Sequence, residues 1–388
     1  MNRSIGSSNS SGRKIGGPRK SSLGSKIIDD VIVIPNTEER IDTKYFVDHS
    51  REIGRGTKTI VRKCIERSTG NRYAVKSVRR TDKTEYEHMR NEVNLLTVLD
   101  HPSIIKIYDT YEDDKFLHIV VDICKGGELY DYVVKPTSTN KKNGQQEAVP
   151  NCPSEEVAAV IVRQVVDAVA YLHDHDIVHR DLKLENLLFK LKPNAKNKQS
   201  LTEIRVIDFG LSRKYNTHHR FCSLKKLTSF VGTKLYVAPE VLNHSYTHAV
   251  DLWSVGVLAY ALLSARAPFT GRNDQELFDK IQHCGEQLKF PSPDFDAVSE
   301  EAKHFIRSLL VKDESNRPTA CELLDHPWMV KADQWKEEID AAAAADGNAS
   351  LFKKILGRFG KGKKKSRAKG KNERDHGPKS NDLDGRVQ

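Results

Sequence analysis

The sequence lacks an apolar run long enough to cross a membrane, and its cysteines are few and scattered. The longest mostly apolar stretch, residues 252–265, falls short of the roughly 18–20 residues that a membrane span needs, so we predict that it forms a buried helix. No apolar secretion signal opens the chain, and Asn2 excludes N-myristoylation. The six cysteines show neither CxxC nor zinc-type spacing, which indicates a reducing compartment. We therefore expect a cytoplasmic or nuclear protein without a membrane-spanning segment.

The middle of the chain has no net positive charge, although the net charge of the whole sequence is +10. Residues 1–30 carry six lysines and arginines against two acids, and residues 353–388 carry thirteen against four. The basic character therefore belongs to the two tails, and the part between them is slightly acidic. Patterns of RNA-binding domains and zinc fingers are also missing, so we predict no specific binding of nucleic acid.

One segment, residues 178–186, carries a compact set of chemically useful side chains. Its sequence VHRDLKLEN places Asp181 two residues before Lys183 and five before Asn186. A carboxylate can accept the proton of a substrate hydroxyl, an ammonium can hold a phosphate, and an amide oxygen can bind a hard metal ion. This combination is suited to phosphoryl transfer.

A glycine-rich stretch, residues 54–61, lies between two β-prone runs. Backbone N–H groups can approach phosphates closely where side chains are missing. A dinucleotide-binding turn would lead into a helix, whereas β-prone residues follow here, so a strand–loop–strand is the better interpretation. Lys76 follows in the run Tyr-Ala-Val-Lys, and Glu92 lies on a helix predicted over residues 85–99. In isolation these two would be an exposed strand-end lysine and a solvated glutamate.

Two further motifs follow in the second half of the chain. Asp208-Phe209-Gly210 comes after a β-prone run, and Ala238-Pro239-Glu240 closes the segment behind it. With VHRDLKLEN and the glycine-rich loop, these motifs resemble those of eukaryotic-type serine/threonine protein kinases over about residues 45–330. The sequences around residues 117–129 and 232–240 are similar to those of the calcium/calmodulin-dependent kinase group. Two departures are Thr59, where the family has a third glycine, and Leu184, where the group usually has proline.

The resemblance implies a bilobal α+β fold, with a small β-rich N-lobe carrying one αC helix and a larger, mainly α-helical C-lobe. It also implies Mg-ATP as the phosphoryl donor and proteins as substrates. The expected organisation is a disordered leader (1–43), an N-lobe (44–121), a hinge (122–125), a C-lobe (126–330) and a basic tail (331–388). We expect polar insertions at 135–153 and 192–202, the first of them mobile, and a candidate regulatory helix at 350–360.

Carried over onto this sequence, the family's catalytic groups are six residues, two of which would bind metal. They are Asp181 as base, Lys183, Asn186 and Asp208, with Asn186 and Asp208 binding the metal, and Lys76 held by Glu92. The resemblance also implies a nucleotide site made of the loop, the strands beside it and the hinge. Its members are Ile53, Gly54, Arg55, Gly56, Thr57, Lys58, Thr59, Ile60, Val61, Ala74, Lys76, Val121, Asp122, Cys124, Glu128 and Leu188.

Supporting contacts can be predicted in the same way. Asp251 should hold the backbone of the catalytic loop, and Arg317 should pair with Glu240. Phe209 should pack beneath the αC helix against Leu96 and His179.

Regulation and specificity are expected at separate places. Arg180 would be an unpaired cation until phosphate arrives on Ser229 or Thr228, with help from Arg213 and from His88 on the αC helix. Glu128 predicts a preference for arginine three residues before the target. Family members that select a second arginine carry an acid at the position of Ala261, which is apolar here. Glu185 would supply only one of the two acids of that second arginine site.

The tail, residues 350–371, combines ten lysines and arginines with apolar residues at 352, 356 and 359. It has three interpretations: a calmodulin-target helix that also blocks the substrate groove, a patch for anionic membranes or nuclear import, and a solvated tail. The chain has no EF-hand pattern of its own. A pseudokinase scaffold is the rival class, but it would have lost Lys76, Asp181, Asn186 or Asp208, and none is lost.

Overall fold

The computed structural model describes residues 39–360, with gaps at 57, 135–137, 143–144, 150–151, 195–196, 215–232 and 244–246. Between 138 and 149 and from 346 to 360 it describes the backbone and not the side chains. The predicted phosphoacceptors Thr228 and Ser229, and most of the leader and tail, lie outside the described residues.

A five-stranded antiparallel sheet forms the N-terminal part, in the order β1-β2-β3-β5-β4. The strands are β1 Tyr45–Arg55, β2 Thr59–Glu66, β3 Arg72–Arg79, β4 Ile107–Glu112 and β5 Phe116–Val121. Ahead of β4, Ile104 forms an isolated bridge to Val206 in the other part of the molecule.

One helix, α2 (Lys83–Leu96), covers one face of this sheet. Its apolar stripe includes Met89 and Val93, which are buried against Leu117 and Ile119 of β5. The helix starts two residues before the predicted start at 85 and ends three residues before the predicted end at 99. Its place after β3 is that of the predicted αC helix.

The opposite face of the sheet is covered by the chain that leads into it. A short helix, α1 (Ile41–Lys44), precedes β1, and both Ile41 and Tyr45 are buried with Val75 and Val120. Ordered structure therefore begins a few residues before the predicted boundary at 44, because Ile41 contributes to this small core.

The C-terminal part is mainly helical. Its helices are α3 Leu129–Val134, α4 Glu155–Asp174, α5 Ala249–Ser264, α6 Asp274–Gln282, α7 Cys284–Gln287, α8 Glu300–Leu309, α9 Ala320–Leu324 and α10 Pro327–Gly360. Every residue of α5 is buried, which confirms that the apolar run is a core helix. Among the described residues, no helix is both long and apolar enough to span a membrane.

Short strands complete this part of the structure. A hairpin, β6 Ser138–Lys142 and β7 Gln145–Val149, occupies the first insertion, where a mobile loop was expected. Next come β8 Ile177–Val178, β9 Leu187–Phe189, β10 Ile204–Val206 and β11 Arg213–Lys214. Strands β9 and β10 pair in antiparallel orientation. A 3-10 helix, Lys198–Leu201, forms in the second insertion.

The last helix, α10, carries the described structure past the predicted domain boundary at residue 330. The helix begins at Pro327 and continues without a break to Gly360. Ala332 and Ile339, both beyond the predicted boundary, are buried in the main core. Polar contacts add to this packing, since Asp333 lies 3.2 Å from Arg163 of α4 and Gln199 donates to Asp340. The two-part architecture itself confirms the predicted bilobal α+β fold.

Candidate active site

The register of the sheet brings the glycine-rich loop, Lys76 and the hinge to one place. Val61 of β2 pairs with Gly54 of β1 on one side and with Lys76 of β3 on the other. Ala74, two residues before Lys76 on the same strand, pairs with Val121, the last residue of β5. Because side chains two residues apart point to the same face of a strand, Ala74 and Lys76 share one face.

The loop between β1 and β2 is closed by its own backbone. The Gly56 N–H donates to the Thr59 carbonyl at 3.0 Å. A β-carbon added at Gly56 would lie 2.5 Å from the Thr59 hydroxyl. Thr59, which stands where the family has its third glycine, therefore leaves no room for a side chain at Gly56. Thr57 lies outside the described residues. Arg55 pairs with Glu52 at 2.8 Å, and Lys58 lies 3.8 Å from Asp82.

Lys76 forms an ion pair with Glu92 of α2, with 2.5 Å between Nζ and Oε2. Both side chains are largely buried, with exposed fractions of 21% and 5%. Burial alone would lower the pKa of Lys76, but the charges of Glu92 and Asp208 outweigh it and raise that pKa above its ordinary value. The lysine therefore remains a cation, and α2 fixes its position.

The three side chains singled out in VHRDLKLEN contact one another. Lys183 Nζ lies 2.7 Å from Asp181 Oδ2. Asn186 Nδ2 donates to the same oxygen at 2.9 Å and to the Asp181 carbonyl at 2.8 Å. The second carboxylate oxygen, Asp181 Oδ1, is buried and has no hydrogen-bond partner among the described residues. A buried acceptor in this state is costly to leave unpaired, so it is suited to accept a hydrogen bond from a substrate.

Asp251 at the start of α5 holds the backbone of this loop, as predicted. Its carboxylate accepts from the N–H groups of His179 and Arg180 at 2.9 and 2.8 Å, and it lies 3.1 Å from His173 Nε2. Burial raises the pKa of Asp251, but the hydrogen bond and charge of His173, the charge of His179 and the Arg180 N–H together outweigh it and lower the pKa below its ordinary value. The loop is thus fastened to the most buried helix of the molecule.

Asp208 lies close enough to Lys76 and Lys183 to interact with both charges, and it has a left-handed backbone conformation, with φ of 65°. Burial raises its pKa, but the charge of Lys76, with smaller contributions from His179 and the Gly210 N–H, lowers it below the ordinary value. The next residue, Phe209, is fully buried, and its ring lies edge-to-face on His179 at 4.8 Å between centroids. This contact confirms the predicted packing on His179.

The expectation that Arg180 is unpaired is wrong. Its Nε donates to the Leu211 carbonyl at 2.7 Å, and Arg213 Nη1 donates to the Ser212 carbonyl at 2.8 Å. The physical reason is that a partly buried guanidinium needs acceptors, and backbone carbonyls near Asp208 supply them. Two cations therefore meet where the segment leaves Asp208.

The hinge residues proposed for the nucleotide follow directly after β5. Asp122 donates its backbone N–H to the Lys106 carbonyl, and its side chain contacts Tyr108 and Arg205. It can therefore offer a ligand its carbonyl oxygen, whereas its N–H is already used. Burial raises the pKa of the Cys124 thiol to about 11, so it remains protonated.

Below the hinge, exposed Glu128 bridges Leu188 of β9. Ile53 is partly exposed at the tip of β1, and Ile60 pairs with both Arg55 and Ser77.

Sequence reasoning missed one residue beside Asp208. Asn91 of α2 donates from Nδ2 to the carbonyls of Phe209, Gly210 and Ser212. Its position inside the predicted helix could have revealed it, because asparagine is unfavourable inside a helix unless its side chain finds a hydrogen-bond partner.

The donor set fits a hard cation and nucleotide phosphates. Both hydrogen bonds of Asn186 use its nitrogen, which leaves its amide oxygen for a metal ion beside the ionised Asp208. In the described part of the chain, no group of three or more His, Cys, Asp or Glu could hold a metal ion. Two protein oxygens completed by phosphates and water are the usual arrangement for Mg²⁺.

Comparisons with known proteins agree with this geometry. A family model described as protein kinase domain matches residues 47–329. Myosin light chain kinase family member 4 of Mus musculus is 35% identical over 291 residues, which are 74% of this chain and 68% of the relative. Serine/threonine-protein kinase 17A of Oryctolagus cuniculus is 35% identical over 294 residues, 74% of this chain and 67% of the relative. Calcium-dependent protein kinase 21 of Arabidopsis thaliana is 34% identical over 305 residues, and the match spans 52% of that relative.

Proposed function

Because this chain belongs to the protein kinase family and is a serine/threonine kinase, we propose that it prefers protein substrates with arginine before the target and is controlled by its activation segment and tail. The enzyme uses ATP and Mg²⁺. Within the site, we assign the base to Asp181, the metal ligands to Asn186 and Asp208, and the phosphate contacts to Lys76 and Lys183.

The observation that carries this assignment is the buried, unpartnered Oδ1 of Asp181. In the proposed reaction the substrate hydroxyl donates its proton towards Oδ1 while its oxygen bonds to the γ-phosphorus. The bond from that phosphorus to the β–γ bridging oxygen breaks, and ADP leaves. Bound Mg²⁺ neutralises charge on the phosphates. Lys76, held by Glu92, and Lys183, held by Asp181, keep cations near those phosphates.

Removal of a metal ligand tests the assignment. Asp208→Ala should lower kcat by about 10²-fold or more, since a positioned charge at the reacting phosphate is lost. The control is Asp114→Ala, at an exposed turn of the N-lobe. Phosphorylation of a peptide by Asp208→Ala at the parent rate would refute the assignment.

Glu185 and Glu128 support the preference for arginine. Glu185 Oε2 is buried and has no hydrogen-bond partner among the described residues, so a carboxylate oxygen close to the catalytic loop awaits a cation. Burial and the charge of Glu185 raise the pKa of Tyr236, which puts this carboxylate beside the segment that ends at Glu240. Glu128, exposed just after the hinge, offers a second acid. An arginine side chain can satisfy such oxygens with several N–H donors.

Peptides test this preference directly. Replacing arginine at position −3 by alanine should raise KM for the parent by about tenfold, whereas Glu128→Gln should respond much less to the same change. Glu185→Gln tests whether Glu185 adds to the preference set by Glu128, and exposed Glu286→Gln is the matched control. Equal phosphorylation of both peptides by the parent would contradict the proposal.

Control by the activation segment is supported by the two arginines at its start. Arg180 and Arg213 both donate to carbonyls between Gly210 and Ser212, so phosphate on Thr228 or Ser229 would find two cations nearby. The double variant Thr228→Ala with Ser229→Ala should have lower kcat than the parent after preincubation with Mg-ATP. Full activity of the double variant would exclude this switch.

For the tail, we favour a calmodulin-target helix. The support is the basic amphipathic pattern of residues 350–371 and the name of one relative, a calcium-dependent protein kinase. A peptide of residues 347–368 should bind calmodulin when calcium is present and not in chelator. Truncation after Ala345 should give calcium-independent activity if the segment also inhibits. Binding to anionic vesicles with no response to calmodulin would instead support the membrane interpretation.

A further inference from the structure

Asn91 makes three hydrogen bonds to the backbone that follows Asp208. Its Nδ2 lies 2.9 Å from the Phe209 carbonyl, 3.2 Å from that of Gly210 and 2.9 Å from that of Ser212. An amide has two N–H groups, so three acceptors share two hydrogens around one half-buried nitrogen. Few side chains in the molecule gather so many backbone acceptors.

The neighbouring residue on the same helix, Glu92, holds Lys76. Consecutive residues of a helix point in directions about 100° apart, so α2 can contact the sheet with Glu92 and the segment after Asp208 with Asn91. The helix also approaches that segment closely, because a β-carbon added at Gly210 would lie 3.0 Å from His88 Cβ. One rigid element therefore fixes two separate parts of the site.

Asp208 needs such support because of its backbone conformation. Its φ of 65° is uncommon for a residue other than glycine, and such conformations persist where surrounding contacts determine them. The carbonyls that Asn91 binds begin at the very next residue. Arg180 and Arg213 bind carbonyls of the same short stretch, at Leu211 and Ser212.

We propose that Asn91 is a positioning residue that holds Asp208 in the conformation in which its carboxylate binds Mg²⁺. The inference rests on the role of Asp208 in the proposed function. Asn91 touches neither nucleotide nor metal; it acts through the backbone of residues 209–212. Its removal should weaken the Mg²⁺-dependent part of nucleotide binding and leave the part that depends on the hinge and glycine-rich loop.

The test compares equilibrium ATP affinity with and without Mg²⁺ in the full-length protein. Asn91→Asp keeps the shape of the side chain but replaces the donor by an acceptor facing carbonyls, and Asn91→Ala removes the group. In both variants the factor by which Mg²⁺ increases ATP affinity should be about 10–100-fold smaller than in the parent. The decrease in Asn91→Asp should be at least as large as that in Asn91→Ala. ATP affinity in chelator should stay within about threefold of the parent. Asn94→Ala, three residues further along the same helix, is the matched control and should behave as the parent.

The outcomes separate the proposal from the function on which it rests. An unchanged Mg²⁺-dependent gain in Asn91→Asp would overturn the proposal, and so would an equal loss of ATP affinity in chelator, which indicates a general structural role. Should Asn91→Asp not fold, Asn91→Ser supplies the same comparison with a shorter donor, for which an intermediate loss is expected. A parent protein whose ATP affinity does not respond to Mg²⁺, or does so equally in Asp208→Ala, would instead contradict the proposed function of Asp208.

Discussion

At the scale of single residues, buried charges organise the site. Asp251, Glu240 and Arg317 are almost completely buried, and each is fully engaged. Arg317 contacts both oxygens of Glu240 at 2.6 and 2.8 Å and lies over the ring of Trp253, which confirms the predicted pair. Removing one partner of such a pair leaves the other charge uncompensated.

A pH prediction belongs to Asp251. Its pKa is below the ordinary 3.8, so its ionised form stabilises the fold fully above that value and progressively less as the pH falls through the lowered pKa. Asp251→Asn should lower the free energy of unfolding at pH 7 by about 1–3 kcal/mol. The difference from the parent should shrink in the acid range below 3.8. Chemical denaturation measured across pH, with exposed Asp114→Asn as control, checks this; a difference that grows towards acid would contradict it.

At the scale of elements, close approach between helices depends on single glycines. A β-carbon at Gly256 of α5 would lie 2.9 Å from Leu309 Cβ and 2.9 Å from Leu310 Cδ2. Helix α5 can therefore pack closely against the end of α8, because α5 has no side chain at Gly256.

Substitution of Gly256 should consequently reverse the usual effect of alanine in a helix. Gly256→Ala should lower the free energy of unfolding by about 1–3 kcal/mol through overpacking, although alanine by itself favours helix by about 1 kcal/mol. Gly285→Ala of α7, whose added β-carbon meets nothing within 4 Å, is the control and should be neutral or stabilising. Equal thermal stability of the two variants would contradict this view of the contact.

At the scale of the whole molecule, α10 belongs to the folded body for at least part of its length. Ala332 and Ile339 are buried in the main core, and Trp335 packs against it. Trp328, at the beginning of the helix, donates to Glu155 of α4 at 3.0 Å. A regulatory segment beyond 345 would thus extend from a helix that is anchored on α4.

Two truncations separate the anchor from the segment beyond it. Ending the chain after Val330 removes Ala332, Trp335 and Ile339 from the core. It should destabilise the protein by about 3 kcal/mol or more, since each large apolar side chain contributes about 1.5–3 kcal/mol on burial. Ending it after Ala345 keeps those residues and should leave Tm near that of the parent. Thermal unfolding of both proteins checks the difference, and equal Tm values would show that α10 adds little.

The sequence by itself determined the family and its chemistry, because side chains that handle phosphate, metal and a transferred proton recur at fixed spacings that local sequence reveals. It also indicated the core helix α5 and the pairs of Asp251 and Arg317, which follow from those same motifs. Tertiary structure alone decided the role of Asn91, the backbone partners of Arg180 and the true extent of α10. These depend on carbonyl positions and on burial between distant segments, and neither leaves a periodic or motif-like trace in the order of the residues.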